Sequence, residues 1–295
     1  MSEGLLERLG FDPDQCVAVV HADDIGMCHA ANLGAFEALS RGPATCGSVM
    51  VPCPWFEEAA AQARDDPQLD LGVHLTLNAE WEPYRWGPVA GPDAVPSLVD
   101  SRGAFFRTAA ETVASAASRE VEIELRAQID RALDAGIDIT HIDAHMGTVF
   151  APGLVEIYAA LAREYRVPAF LARPSAEQLG ATGASGLLGR ILRLVDELEA
   201  EGFPIFDGFD ASSLGFAEGA GLEHNLARLR GLSPGLHYLI CHPARGSEEL
   251  QALTGDAHCR DFERAFYGGP DGAGALEQCG VATTGMRALR SLLRA

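Results

Sequence analysis

Histidine and aspartate recur in this 295-residue chain where apolar runs end, and there they could hold a divalent cation and move protons. The first group, His21-Ala22-Asp23-Asp24-Ile25-Gly26, closes the run that starts at Cys16. Neighbouring strand residues face opposite sides, so Asp23 and Asp24 share a site only if the backbone leaves strand geometry. Gly26 makes such a turn cheap. An aspartate ahead of a helix is also an ordinary cap, and that reading stays open.

In Gly72-Val73-His74-Leu75-Thr76-Leu77-Asn78, the odd positions are apolar and the even ones small or polar. One face suits packing under helices, and the other turns polar towards its end. His74 reads as a ligand or as a satisfied core residue. In His141-Ile142-Asp143-Ala144-His145, a two-residue period puts His141, Asp143 and His145 on one face. Burying two imidazoles and a carboxylate is costly without a purpose, and the alternative is a hydrogen-bonded structural trio. Cys241-His242-Pro243 ends the run GLHYLI and sets His242 where a loop begins, a position suited to proton transfer. Cys241 reads as packing, and the other histidines (29, 224, 237 and 258) as caps, surface or core.

Aspartate and histidine at three strand ends form a nitrogen and oxygen ligand set. One carboxylate with two neutral imidazoles leaves coordination positions free, as catalytic sites do. By softness the set suits zinc, manganese, cobalt or iron better than magnesium, although the sequence does not choose. No thiol lies at ligand spacing.

The elements that must position these groups alternate along the whole chain. Strands are expected at 16–24, 45–52, 69–77, 139–145, 167–172, 203–209, 235–243 and 280–286. Helices are expected at 30–39 (Leu33, Phe36, Leu39), 54–64, 119–134 (Leu125, Ile129, Leu133) and 153–165 (Leu154, Tyr158, Leu161, Tyr165). Others follow at 186–199 (Leu188, Ile191, Val195, Leu198), 221–231 and 287–294, with an irregular acidic stretch after Pro243. Seven or eight β-then-α units without a glycine-rich dinucleotide turn predict an α/β chain folded as a distorted (β/α) barrel, one domain over 1–295. Polar strand ends would then line the rim where such barrels build active sites. A long loop, 80–117, is inserted after the third strand. It carries Trp81, Tyr84, Arg85 and Trp86, which either stack on a sugar or pin the loop to the barrel.

Composition excludes several alternatives. All 22 basic residues are arginine, so lysine Schiff-base chemistry, a phosphate-loop lysine and a kinase site are absent. A net charge of −20 argues against nucleic acid and anionic membranes as partners. The start, MSEGLLERLGFDPD, lacks a basic region before an apolar run, no run is long enough to span a bilayer, and the seven cysteines never form C-x-x-C. The expectation is a cytoplasmic protein with reduced thiols, and a homodimer on base rates.

Ala22-Asp-Asp-x-Gly26, Gly72-Val-His-Leu-Thr-Leu77, His141-Ile-Asp-x-His145 and Cys241-His-Pro-Ala244, in that order, resemble the YdjC-like carbohydrate deacetylases. Arg260-x-x-Glu263 looks like a further family feature. The resemblance runs from about residue 16 to the final helix. It departs from the family where His21 and Ile25 replace the common Asn and Phe, and where Met146-Gly147-Thr148 replaces a histidine-rich continuation. The resemblance implies a barrel-like fold, one divalent metal ion (zinc or magnesium), and removal of an N-acetyl group from an amino sugar or oligosaccharide. By motif the metal ligands would be Asp24, His74 and His145, with Asp23 as general base and His242 as acid. Asp143, Trp81 and Arg260 are expected substrate contacts. The alternatives are another metal-dependent barrel enzyme, a sugar isomerase or phosphoester hydrolase, and an inactive sugar-binding relative.

Overall fold

The computed structural model describes residues 4–82, 84–174 and 186–295, with side chains from residue 189 onward in the last stretch. Pro83 and the Leu188 side chain lie outside the described residues. The strands are β1 (Cys16–Ile25), β2 (Cys46–Val49), β3 (Leu71–Leu75), β4 (Ile139–Ala144), β5 (Gly208–Asp210), β6 (Gly235–Cys241) and β7 (Val281–Thr283). The early helices are α1 (Leu5–Arg8), α2 (His29–Arg41), α3 (Phe56–Asp65), α4 (Ala109–Ser115), α5 (Ser118–Asp134) and α6 (Val155–Tyr165). They are followed by α7 (Gly186–Ala200), α8 (Gly221–Arg230), α9 (Glu248–Leu253), α10 (Ala257–Tyr267), α11 (Pro270–Gln278) and α12 (Met286–Arg294).

All strand pairs are parallel, in the order β4-β3-β2-β1-β6-β5, with β7 against the start of β1. Helices cover the outer face, so strands such as β1 are buried almost throughout and read as apolar runs. The sheet is a curled half-barrel. The expected full barrel is not formed by continuous ladders: 167–172 meets β4 and 203–209 through the single bridges Ile142–Ala169 and Ala172–Phe206, while the end of 203–209 enters the β5–β6 ladder at Gly208 and Phe209. Pro168 and Pro204 sit in those segments and have no N–H to give a ladder.

Three further expectations are corrected. The stretch 80–117 is built partly of short elements, a 3-10 turn at Pro96–Leu98 and α4, which Thr108 caps by accepting from the Glu111 N–H. The region after Pro243 folds as α9, α10 and α11 rather than irregularly. Leu133 is 46% exposed, because repeated steps of four drift about 40° each from the 3.6-residue turn and carry it off the face of Leu125 and Ile129. Among the described residues no helix is long and apolar enough to cross a membrane.

The strand period sorts side chains between the two sides of the sheet. Ala18, Val20 and Ala22 of β1 join the main core under the helices, while Val17 and Val19 turn into the concave side. There they pack with Phe170, Phe206, Leu236 and Tyr238, and Leu6 of α1 with Met286 and Leu289 of α12 closes the floor. Each such fully buried apolar side chain contributes about 1.5–3 kcal/mol. Above this floor the inward positions become polar: Ser48, His74, His21, His141 and Asp143 are all buried.

Candidate metal centre and catalytic site

The polar end of β1 leaves strand geometry where two adjacent carboxylates require it. The β1–β2 register breaks between Ala22 and Ile25, Asp24 takes φ 64° and Gly26 φ 90°. Both Asp23 and Asp24 thereby face the mouth of the half-barrel. A left-handed non-glycine residue costs on the order of 1 kcal/mol, and Asp tolerates it better than most. Arg260 on α10 holds the new position with Nη1 2.7 Å from Asp24 Oδ2, while its Nε donates to Asp256 Oδ1 at 2.8 Å.

The other oxygen of Asp24 is left between two imidazoles. Its Oδ1 lies 3.3 Å from His145 Nδ1 and 3.6 Å from His74 Nε2 and, although buried, has no aligned hydrogen-bond donor. One ligand atom from each of Asp24, His74 and His145 lies within 4.8 Å of the others. A buried carboxylate oxygen lacking a donor, flanked by two ring nitrogens, fits a divalent cation. Each ring is aimed by its far nitrogen, His74 Nδ1 against Asp143 Oδ1 at 2.9 Å and His145 Nε2 against Glu80 Oε2 at 3.0 Å.

Asp23 and His242 stand beside this trio. Asp23 Oδ2 is 3.6 Å from His242 Nε2 and 3.8 Å from His74 Nε2. Ser213 donates to Glu263 Oε2 at 2.5 Å, and the same oxygen accepts the His242 backbone N–H at 2.7 Å. With that proton committed, Ser213 Oγ accepts from His242 Nδ1 at 2.9 Å, which leaves Nε2 as a bare lone pair turned towards Asp23.

A model of the YdjC-like protein family matches residues 17–278. The chain belongs to the YdjC-like family. It is 38% identical over 250 residues to a carbohydrate deacetylase of Thermus thermophilus, covering 84% of this chain and 85% of that protein. A carbohydrate deacetylase of Thermoanaerobacter pseudethanolicus is 27% identical over 246 residues, with 83% and 88% covered. A crystal structure from Enterococcus faecalis, provisionally named for cellobiose-phosphate cleavage, superposes with a TM-score of 0.76 at 27% identity. That superposition covers 93% of this chain and 99% of the other.

In this YdjC-like site the electrostatics are set by burial and close partners. Burial pushes the Asp24 carboxyl up, but Arg260 and then His145 outweigh it and hold it well below the usual range. Burial lowers His74, yet Asp143 and Asp23 raise it to about 9. Burial likewise opposes Glu80 and Asp24 at His145, which ends at about 10. At His242 burial wins and, with Arg260, brings the ring down to about 4 despite Asp24 and Asp23. Burial raises Glu263 to about 7 against the pull of Arg228, 3.0 Å away.

Some residues stand differently from their sequence expectation. Asp143 is 2% exposed and lies under His74, bonded to it and accepting from Ser48 Oγ at 3.0 Å and Tyr238 Oη at 3.2 Å, so it orients a ring rather than opening to the mouth. Arg260 is 4% exposed and committed to two carboxylates. Trp81 is half-buried, its ring 5.8 Å from the Arg260 guanidinium carbon. Trp86 and Tyr84 pin their loop, donating to Asn78 O at 2.8 Å and Met27 O at 2.6 Å. Glu80, Ser48, Ser213 and Tyr238 were not foreseen. Ser48 had a signal, a hydroxyl inside a short buried strand, whereas nothing local marks Glu80.

Proposed function

We propose that this chain is a metal-dependent carbohydrate deacetylase that hydrolyses the N-acetyl group of an amino sugar or oligosaccharide. The observation that carries the reading is the convergence of Asp24, His74 and His145 on one point, with Asp23 and His242 beside it. The named activity of the relatives supports the same reaction. A divalent cation held by the trio would polarise the acetamide carbonyl and make water more acidic.

The chain's own residues supply the proton traffic. Asp23 takes a proton as water attacks the acetyl carbon and the new C–O bond forms. His242, neutral at rest with Nε2 facing Asp23, receives that proton across 3.6 Å and gives it to the sugar nitrogen as the C–N bond breaks. Acetate and a free amine leave. Arg260 keeps Asp24 ionised throughout, and Ser213 with Glu263 holds the His242 ring in its tautomer. Trp81 offers a ring face at the rim for a sugar to stack on. The chain acts as one unit, and its seven free thiols support a reducing compartment.

A screen of N-acetylated mono- and oligosaccharides, with acetate detected in the presence and absence of chelator, tests the reading. Acetate release that stops with chelator and returns with added metal is expected. Phosphate or isomerised sugar as the product, with no acetate, would replace it with one of the other metal-dependent reactions.

A further inference from the structure

Directly beneath the mouth, three buried side chains from three strands converge a second time. His21 of β1, Cys46 of β2 and His141 of β4 are each fully buried, and one ligand atom from each lies within 4.8 Å of the others. The β1–β2 register pairs His21 with Cys46, and β3 contributes Gly72 to the gap between β2 and β4. A Cβ at Gly72 would meet His141 ring carbons at 2.6 and 2.7 Å, so the missing side chain is what lets that ring reach His21.

The hydrogen bonds around the two rings leave a gap in the accounting. Thr140 Oγ1 gives its one proton to Asp70 Oδ1 or Leu71 O, so it accepts from His141 Nδ1 at 2.9 Å. His21 Nδ1 stands 2.6 Å from Asp23 Oδ1, off the hydrogen-bond axis but too close for two bare acceptors. Both Nδ1 atoms therefore carry hydrogen. In neutral rings the two Nε2 atoms then turn lone pairs on each other across 3.0 Å. Asp143 Oδ2, 3.3 Å from His21 Nε2, adds a further electron pair. Either an extra proton or a cation must stand among them, and the thiol alongside favours the cation.

We infer that His21, Cys46 and His141 form a second metal site, closed to solvent and suited to zinc or cobalt(II). Two imidazoles and a thiolate are a donor set of borderline softness, a poor match for magnesium or calcium. Occupation expels the Cys46 thiol proton and keeps both Nδ1–H donors on their present acceptors, Asp23 and Thr140. The site would thereby fix the ring that abuts Asp23. The inference does not depend on the reaction assigned to the mouth.

Because the site is sealed, the full-length chain should be produced in cobalt-supplemented cells, so that the ion loads during folding. Metal content and the near-ultraviolet thiolate-to-cobalt absorption band are then measured for three proteins. The wild type should carry about two ions per chain with the band. A His74→Ala/His145→Ala variant should keep about one ion and the band, since the mouth trio has no sulfur. Cys46→Ser, which preserves size, should keep about one ion without the band. A wild type with at most one ion and no band overturns the inference, whether or not the variants fold. So does a band that survives Cys46→Ser.

Discussion

His74 and Asp143 are register partners on β3 and β4, and their side chains meet at 2.9 Å, Nδ1 to Oδ1. The contact decides which nitrogen of His74 is free, namely Nε2, the one 3.6 Å from Asp24 Oδ1. Asp143→Asn should leave the fold in place and weaken metal binding by about 10–100-fold, the usual cost of losing a carboxylate behind a ligating imidazole. The metal concentration that half-restores acetate release to chelated protein reads this out. An unchanged concentration would remove Asp143 from its orienting role.

Asp23→Asn separates proton transfer from metal binding. Turnover should fall by about 10²–10⁴-fold, with metal content at the mouth retained, because Asp24 and the two imidazoles are untouched. Acetate kinetics and elemental analysis on the same preparation check both halves. Near-wild-type turnover would show that another group takes the proton.

Metal loading should release protons. Without a cation His74 titrates at about 9 and His145 at about 10, so both rings are protonated at pH 7 and must lose a proton to ligate. Calorimetry at pH 7 in buffers of different ionisation enthalpy should report about two protons expelled from the mouth, and affinity should rise with pH towards 9–10. The sign for stability runs the other way. Raised imidazole values stabilise the metal-free fold fully below their unfolded value of about 6.5, and that contribution is lost as pH climbs through 9 and 10.

Arg260 is buried against Asp24, and its removal leaves an uncompensated carboxylate. Arg260→Met should destabilise the metal-free protein by about 3–5 kcal/mol. Added metal should recover part of the loss, since a cation at Asp24 Oδ1 replaces the missing charge. Thermal unfolding with and without metal measures the effect, and equal losses in both conditions would contradict it.

Much of this site was legible in the residues because it rests on local rules. The two-residue period set His74 and His141 inward, and the adjacent Asp23 and Asp24 demanded a break that Asp24 and Gly26 supply at positive φ. What escaped depends on partners distant in sequence. Arg260 finds Asp24 across 236 positions, and Glu80 reaches His145 from an irregular segment. Cys46 had no ligand spacing along the chain, yet strand pairing puts it level with His21. The helices after Pro243 were hidden by their acidic, glycine-bounded sequence, although Cys259, Glu263 and Phe266 mark a buried face of α10 once the period of 3.6 is applied. Closure of the sheet was over-read, because Pro168 and Pro204 sit where 167–172 meets its two neighbours, and both contacts are single bridges.

The central claim is that one cation sits where Asp24, His74 and His145 converge. An anomalous difference map at the metal absorption edge, from crystals of active protein grown with zinc, tests it most directly. The account predicts a peak within coordination distance of Asp24 Oδ1, His74 Nε2 and His145 Nδ1. Fully active crystals with no peak at that point would contradict it.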